Sequence, residues 1–361
     1  MSKYFKTIAF AGTNGKSSSS AMGIFTAKEV LNNFGLGILG ALVPDFGGKS
    51  YQFSDREKED IYNIFQTIFT GKKLKYDLVK KYYFFVEACE YQRHFLTLDL
   101  DDAIITSLEL EHTDYFNDRE DYQSAFLELI EKIKGNVYVL PNLNSEKILK
   151  HPKTVIVEAQ HFNFQYIWGD YQQQNASLVS GLLNHLTDRT QQQTIKKLIE
   201  SFGGLRRRME KLTTTEKGAI IFSDYGHLAS SLEGGFQALQ EKFPDKNLIC
   251  IFQPHQIHRI LQGRDRFPAA LKGYDKSFIY KIYAAREHFQ EIIKDSGKTL
   301  HNISNIDELG EIFAKHCQSS YLKTFEEVEN IIEQADEKSI IIVYSAGDID
   351  YQLRKYLKLV S

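Results

Sequence analysis

Cysteine is scarce in this chain. Cys89, Cys250 and Cys317 are the only three, and at such wide spacing they make neither a disulfide framework nor a zinc pattern. They read as small buried apolar residues in a reducing compartment. An excess of charge of either sign is also missing. The net charge is −3, which implies no bulk attraction to nucleic acid. No apolar run approaches the ~20 residues of a membrane span, and no basic segment followed by an apolar one opens the chain. There is no internal repeat and no low-complexity linker. These absences lead us to expect a soluble, cytoplasmic protein with no nucleic-acid partner and no membrane span.

What is present is ordinary globular material. The 361 residues are 42% hydrophobic and 25% charged, enough for two domains with their own cores. The most informative stretch comes at the start. Lys6-Thr7-Ile8-Ala9-Phe10-Ala11 reads as a short buried strand, Gly12-Thr13-Asn14-Gly15-Lys16-Ser17 follows, and Ser18 to Leu31 reads as a helix. Glycines let a backbone turn tightly and aim its N–H groups at an anion. The helix N-terminus adds partial positive charge. A Lys and a hydroxyl at the loop's end suit terminal phosphates and Mg²⁺. Gly12 stands only three residues before Gly15, closer than the standard spacing. The pattern still points to ATP or GTP.

Strand and helix patterns then alternate repeatedly, which predicts an α/β fold with largely parallel sheets. Strands are expected over Tyr82 to Glu87, Ala103 to Leu108, Asn136 to Leu140 and Thr154 to Glu158, with helices over Arg119 to Ile133, Gln173 to Leu186 and Gln191 to Phe202. A glycine break with a cluster of arginines, Gly203-Gly204-Leu205-Arg206-Arg207-Arg208, suggests a domain boundary near 212, giving domains 1–212 and 213–361. In the second, strands are expected over Ala219 to Phe222, Asn247 to Phe252, Ser277 to Ile282 and Ser339 to Tyr344. Helices are expected over Leu228 to Lys242 and Arg259 to Leu271, and from Ala284. Thr324-Phe325-Glu326-Glu327 has the spacing of a capping box.

Polar groups gather where these strands end, which is where a doubly wound sheet builds its crevice. Glu87 and Glu90 follow the first of them, well placed to hold a nucleotide's Mg²⁺. Glu111-His112-Thr113-Asp114 follows the next, and a neutral imidazole there can ligate a metal or orient a phosphate. In the second half, Ser223-Asp224-Tyr225-Gly226-His227 and Gln253-Pro254-His255-Gln256-Ile257-His258-Arg259 occupy the same kind of position, Arg259 offering a fork for a carboxylate.

Together these residues resemble the Mur ligases. The matching stretches are AGTNGKSS at 11–18, VEACE at 86–90, IITSLELEHTDYF at 104–116 and GDYQQQNA at 169–176. FGGLRRRME at 202–210, SDYGH at 223–227, FQPH at 252–255 and AGDI at 346–349 continue them in family order. The resemblance implies a P-loop central domain followed by a Rossmann-like C-terminal domain. It implies an ATP- and Mg²⁺-dependent ligase that joins an amino acid or peptide to a muramyl-type carboxylate through an acyl phosphate, in peptidoglycan synthesis or recycling. By the same resemblance Gly12, Thr13, Asn14, Gly15, Lys16, Ser17 and Ser18 would hold the phosphates. Lys16, Glu87 and His112 would be catalytic. Ser17 and Glu87 would bind one metal, and His112 a second metal or the acyl phosphate. Asn175 would sit near the adenine, and Arg207 and Asp224 around ATP. Tyr225, His227, His255 and Arg259 would shape the amino-acid end, and closure of the domains would exclude water.

The sequence departs from the family in places. Only eleven residues precede Gly12, whereas the family's peptidoglycan ligases carry a UDP-binding domain there. That difference suggests a substrate without UDP, a partner protein that supplies the binding, or a truncation. The family's E-A-D-E-S-D is Glu87-Ala88-Cys89-Glu90-Tyr91-Gln92 here, its Asp before the His is Glu111, and its G-H-H-P-T-E is Gly226-His227-Leu228-Ala229-Ser230-Ser231. The Arg after Q-P-H is Gln256. Nucleotide and metal residues are mostly kept, while part of the substrate pocket has changed. A folylpolyglutamate-type ligase and a non-catalytic nucleotide-binding partner are the two alternatives.

Overall fold

The computed structural model describes residues 1–71, 78–113, 115–295 and 303–360. The chain divides into two compact units, Met1–Leu205 and Arg206–Ser361. The division falls ahead of residue 212 because the strand beginning at Glu210 is already hydrogen-bonded into the second sheet.

Among the described residues the first unit is built on seven strands: β1 (Lys6–Ala11), β2 (Phe34–Val43), β3 (Lys49–Phe53), β4 (Tyr83–Glu87), β5 (Asp102–Ile105), β6 (Val137–Val139) and β7 (Thr154–Ile156). Their order across the sheet is β3-β2-β4-β1-β5-β6-β7. Only the β2–β3 hairpin is antiparallel; every other pair is parallel. The helices are α1 (Lys16–Val30), α2 (Lys58–Thr70), α3 (Arg119–Lys132), α4 (Glu146–Leu149), α5 (Asp170–Leu186) and α6 (Gln192–Ser201). Alternation along β1 explains why both faces are covered. Ile8 and Phe10 point into a core shared with α1, α5 and α6, while Ala9 and Ala11 point into a second core with α3. Such strands are apolar throughout because neither face meets water.

The second unit repeats the plan with β8 (Glu210–Thr214), β9 (Ile220–Asp224), β10 (Asn247–Gln253), β11 (Lys276–Tyr280), β12 (Ser320–Leu322) and β13 (Ser339–Ser345), ordered β12-β11-β10-β13-β9-β8. Its helices are α7 (Ala229–Lys242), α8 (Ile257–Gly263), α9 (Phe267–Leu271), α10 (Phe289–Asp295), α11 (Ile306–His316), α12 (Phe325–Gln334) and α13 (Ile349–Tyr356). β13 is buried over its full length. α12 and α13 pack on one face of the sheet.

The segment between Leu31 and Tyr82, to which the sequence pattern assigned no element, holds β2, β3 and α2. Two expectations need correction. The helix expected over Arg259 to Leu271 is two short helices, α8 and α9, because Pro268 opens α9 and cannot sit inside a continuous helix. The helix expected from Ala284 starts at Phe289, since Ala285 takes a left-handed φ of 56° and the chain turns there. Among the described residues no helix is long and apolar enough to cross a membrane.

Candidate active site

The parallel register lines up the carboxyl ends of three neighbouring strands. Phe10 of β1 lies beside Glu87 of β4 and Ile104 of β5. Side chains that follow those positions therefore converge at the carboxyl end of the sheet's three central strands.

The loop after β1 runs straight into α1. Gly12 (φ 126°) and Gly15 (φ 90°) hold conformations that L side chains rarely adopt. A Cβ on Gly12 would lie 2.3 Å from Thr106 Oγ1, and one on Gly15 would lie 2.4 Å from Asn175 Oδ1. Thr13 and Asn14 are tied to the chain after β5. Thr13 Oγ1 donates to the Glu109 carbonyl at 2.7 Å and meets the Tyr122 hydroxyl at 2.8 Å. Asn14 N donates to Ser107 Oγ at 2.8 Å. Burial pushes the Tyr122 phenol up, so it stays a neutral partner. No side chain caps α1, and no acid stands in its first turn, which suits its N-terminus to an anion.

Lys16 and two acids complete this end. Lys16 Nζ donates to the Gly12 carbonyl (2.6 Å), the Thr13 carbonyl (3.0 Å) and Glu90 Oε1 (3.0 Å). Ser17 Oγ donates to Glu87 Oε1 at 2.8 Å, while Glu87 Oε2 accepts from Gly40 N at 2.7 Å. Ser18 is buried beside Ser17 in the first turn. Glu90 is 1% exposed, and its Oε2 has no hydrogen-bond partner. His112 Nε2 lies 3.5 Å from Glu90 Oε1. Ligand atoms of Glu90, Glu111 and His112 all lie within 4.8 Å of one another. Two carboxylates and an imidazole form a mixed oxygen and nitrogen donor set of the kind divalent cations take, and a buried carboxylate oxygen without a partner is costly. The residues present fit a divalent cation.

Asn175 is brought to the back of the same loop. It is 5% exposed, and its Oδ1 accepts from Ser19 Oγ at 3.1 Å, pinning α5 to α1. Asp114 lies outside the described residues.

The second unit gathers another group at the carboxyl ends of β9, β10 and β13. Asp224 accepts from Met209 N (2.7 Å) and Gly226 N (2.6 Å). Its full burial raises its carboxyl pKa, against the pull of Arg208 and these two amides. The Arg207 and Arg208 guanidinium carbons lie 4.9 and 5.1 Å from the Tyr225 ring centre. Rings then follow one another: Tyr225 to His227 at 5.7 Å, His227 to His255 at 5.8 Å, and His255 stacked on Tyr283 at 5.8 Å. Arg259 stands half-buried on α8, one turn beyond His255.

Glu90 and Glu111, both acids just past a strand end, join His112 in one cluster, a meeting that the sequence pattern alone did not specify. Tyr283 gave no signal in sequence, because its tie to His255 is a bridge between distant segments.

Residues 10–187 match the Mur ligase middle domain. The UDP-N-acetylmuramate–L-alanine ligase of Lactobacillus delbrueckii subsp. bulgaricus is 31% identical over 243 residues, 58% of this chain and 54% of that protein; the match thus spans about half the length of that relative. Among solved structures, the UDP-N-acetylmuramate–alanine ligase MurC of Thermotoga maritima superposes with a TM-score of 0.71 at 18% identity, covering 99% of this chain and 76% of that one. The bifunctional folylpolyglutamate synthase/dihydrofolate synthase of Yersinia pestis, complexed with AMPPNP and Mn ion, gives 0.64 at 14% identity, covering 98% and 89%. With the phosphate loop and its acids set on its doubly wound sheet, residues 10–187 belong to the Mur ligase middle-domain family.

Proposed function

We propose that this protein is an ATP-dependent amide ligase of the Mur type, joining an amino acid or peptide to a muramyl-type carboxylate. The observation that carries the reading is the meeting, at the carboxyl ends of the central strands, of an uncapped helix N-terminus, Lys16, the Ser17–Glu87 pair and the Glu90–Glu111–His112 cluster. Residues Gly12 to Ser18 would cradle the phosphates, and Lys16 would neutralise charge on the transferring group. Ser17 with Glu87 would hold one Mg²⁺, and His112 a second metal or the acyl phosphate. Bound there, Mg²⁺ supplies charge neutralisation at the phosphoryl oxygens. In the chemistry proposed, the acceptor carboxylate attacks the γ-phosphorus and ADP leaves, giving an acyl phosphate. The amine then adds to the acyl carbon, loses a proton, and phosphate departs as the amide forms. Asn175, Arg207 and Asp224 would serve the nucleotide, and Tyr225, His227, His255 and Arg259 the amino acid.

A folylpolyglutamate-type acceptor is the second reading, favoured by the fold likeness to the Yersinia pestis enzyme over 89% of that chain. One experiment separates the two. Phosphate release from ATP with Mg²⁺ is measured across the amino acids, with N-acetylmuramate, muramyl peptides, UDP-N-acetylmuramate and a folate as acceptors. Release that needs a muramyl acceptor and one amino acid, and that is lost in Lys16→Ala, is the expected result. Release with the folate alone transfers the assignment to the second reading. Nucleotide binding without turnover on any acceptor overturns both.

A further inference from the structure

We propose that Arg354, on the last helix, is a positioning residue for the Arg207–Arg208 segment; the proposal rests on the ligase reading, in which that segment serves the nucleotide. Arg354 is 9% exposed and Asp350, one turn before it, 6%. Buried charges persist only where they are paired and hydrogen-bonded, and every partner here leads toward Arg207. The Arg354 guanidinium forks onto Glu210, Nη1 to Oε1 at 3.2 Å and Nη2 to Oε2 at 2.6 Å. Its Nε donates to Asp350 Oδ2 at 2.9 Å. Glu210 Oε2 also accepts from the backbone N–H of Arg207 at 2.7 Å. Asp350 Oδ2 faces Arg207 Nε at 3.5 Å, and Asp350 Oδ1 accepts from Ser223 Oγ on β9. Of the two acids that pair Arg354, Glu210 therefore holds the Arg207 backbone by a hydrogen bond, and Asp350 lies against its guanidinium as an ion pair without a hydrogen bond.

The segment needs that support. Arg207 and Met209 both take left-handed φ, 57° and 50°, which non-glycine residues adopt only when their surroundings impose it. Glu210 fixes the first through its N–H, and Asp224 the second. In that conformation Arg207 Nη2 reaches the Ser345 carbonyl at the end of β13, and the guanidinium groups of both arginines lie over Tyr225. The arrangement presents two guanidinium groups at the carboxyl ends of β9 and β13, chemistry suited to a polyphosphate. Arg354 touches none of the reacting groups; it acts through Glu210 and Asp350.

The test uses the full chain and the variants Arg354→Lys and Arg354→Met, with Ile332→Val, in the core of the same unit, as a control for general loosening. Lysine keeps the charge but cannot make the two-pronged contact, so Arg354→Lys stays interpretable if Arg354→Met does not fold. Three quantities are read: hydrogen exchange of the amides in 206–210, the Kd for ADP with Mg²⁺, and thermal unfolding. For Arg354→Lys the expected result is faster exchange at Arg207 and Met209, protected β9 and β13, and ADP binding weakened about tenfold, the scale of one misplaced charge-assisted contact. Unchanged exchange overturns the proposal, because Arg354 would then not hold the segment. Faster exchange with unchanged ADP affinity overturns it too, while leaving the ligase reading intact. An equal loss of affinity in Ile332→Val assigns the effect to loosening and overturns it as well. A wild-type protein that binds no ADP or ATP defeats the ligase reading itself, and this proposal falls with it.

Discussion

At the scale of single residues, Glu90 is the most demanding group in the candidate site. Its carboxylate is buried, one oxygen is shared between Lys16 and the neighbourhood of His112, and the other has no partner. Such a group is stabilised by a cation and destabilised without one. Glu90→Gln removes the charge while keeping the shape. It is expected to weaken the apparent affinity for Mg²⁺ or Mn²⁺ about 10- to 100-fold, the range seen when a metal site loses a supporting carboxylate. A metal titration of ATP turnover checks it, and an unchanged titration would remove Glu90 from the site. Residues were legible here where chemistry and position coincide, as with Lys16 and Glu87. The role of Asn175 in seating Gly15 was not, because nothing local to residue 175 records a neighbour 160 residues away along the chain.

At the scale of elements, local rules governed where the chain had local signals. The capping box at Thr324 is present: Glu327 accepts from Thr324 N at 2.8 Å and Lys323 N at 2.7 Å. The Thr324 and Lys323 amides hold the Glu327 carboxyl below its ordinary value of 4.5. A lowered folded-state pKa stabilises above the ordinary value and loses that stabilisation as pH falls through the folded one. Glu327→Ala is therefore expected to cost about 0.5–1.5 kcal/mol at neutral pH, the net worth of a hydrogen bond. The gap to wild type should narrow as pH drops below 4.5. Chemical unfolding at pH 7 and pH 3 measures both; a gap independent of pH would contradict the assignment. Elsewhere the local signal was weak. β2 contains Gly35, Gly37 and Gly40, which weaken a strand when read from sequence. In the fold Gly37 is required, because a Cβ there would lie 2.4 Å from Ile24 of α1. Turn formation at 284–288 is likewise tertiary: the Glu287 carboxylate reaches Ile257 N and His258 Nδ1 at the start of α8.

At the scale of the whole molecule, the two units each carry a sheet and cores of their own. Gly235→Ala separates them experimentally. A Cβ there would stand 1.7 Å from the Tyr344 hydroxyl oxygen, itself 3.0 Å from the Tyr274 hydroxyl. Overpacking of that kind costs about 1–3 kcal/mol. Calorimetry is expected to show the second unit's transition lowered and the first unit's unchanged; an equal drop in both would mean that the units unfold as one. ADP with Mg²⁺ should raise the first unit's transition, by about 2.7 kcal/mol of added stability at a hundredfold excess over Kd. The sequence by itself determined the strand–loop–helix opening, the alternation of strands and helices in both halves, and the acids and histidines at strand ends. Each of these is written in neighbouring residues through periodicity, turn chemistry and capping. Only the tertiary structure decided which strand ends meet, that Glu90 and Glu111 join His112, and that Arg354 reaches back to Arg207. Those contacts join segments far apart in the chain, and parallel register, burial and shared hydrogen-bond partners set them, none of which a local pattern encodes.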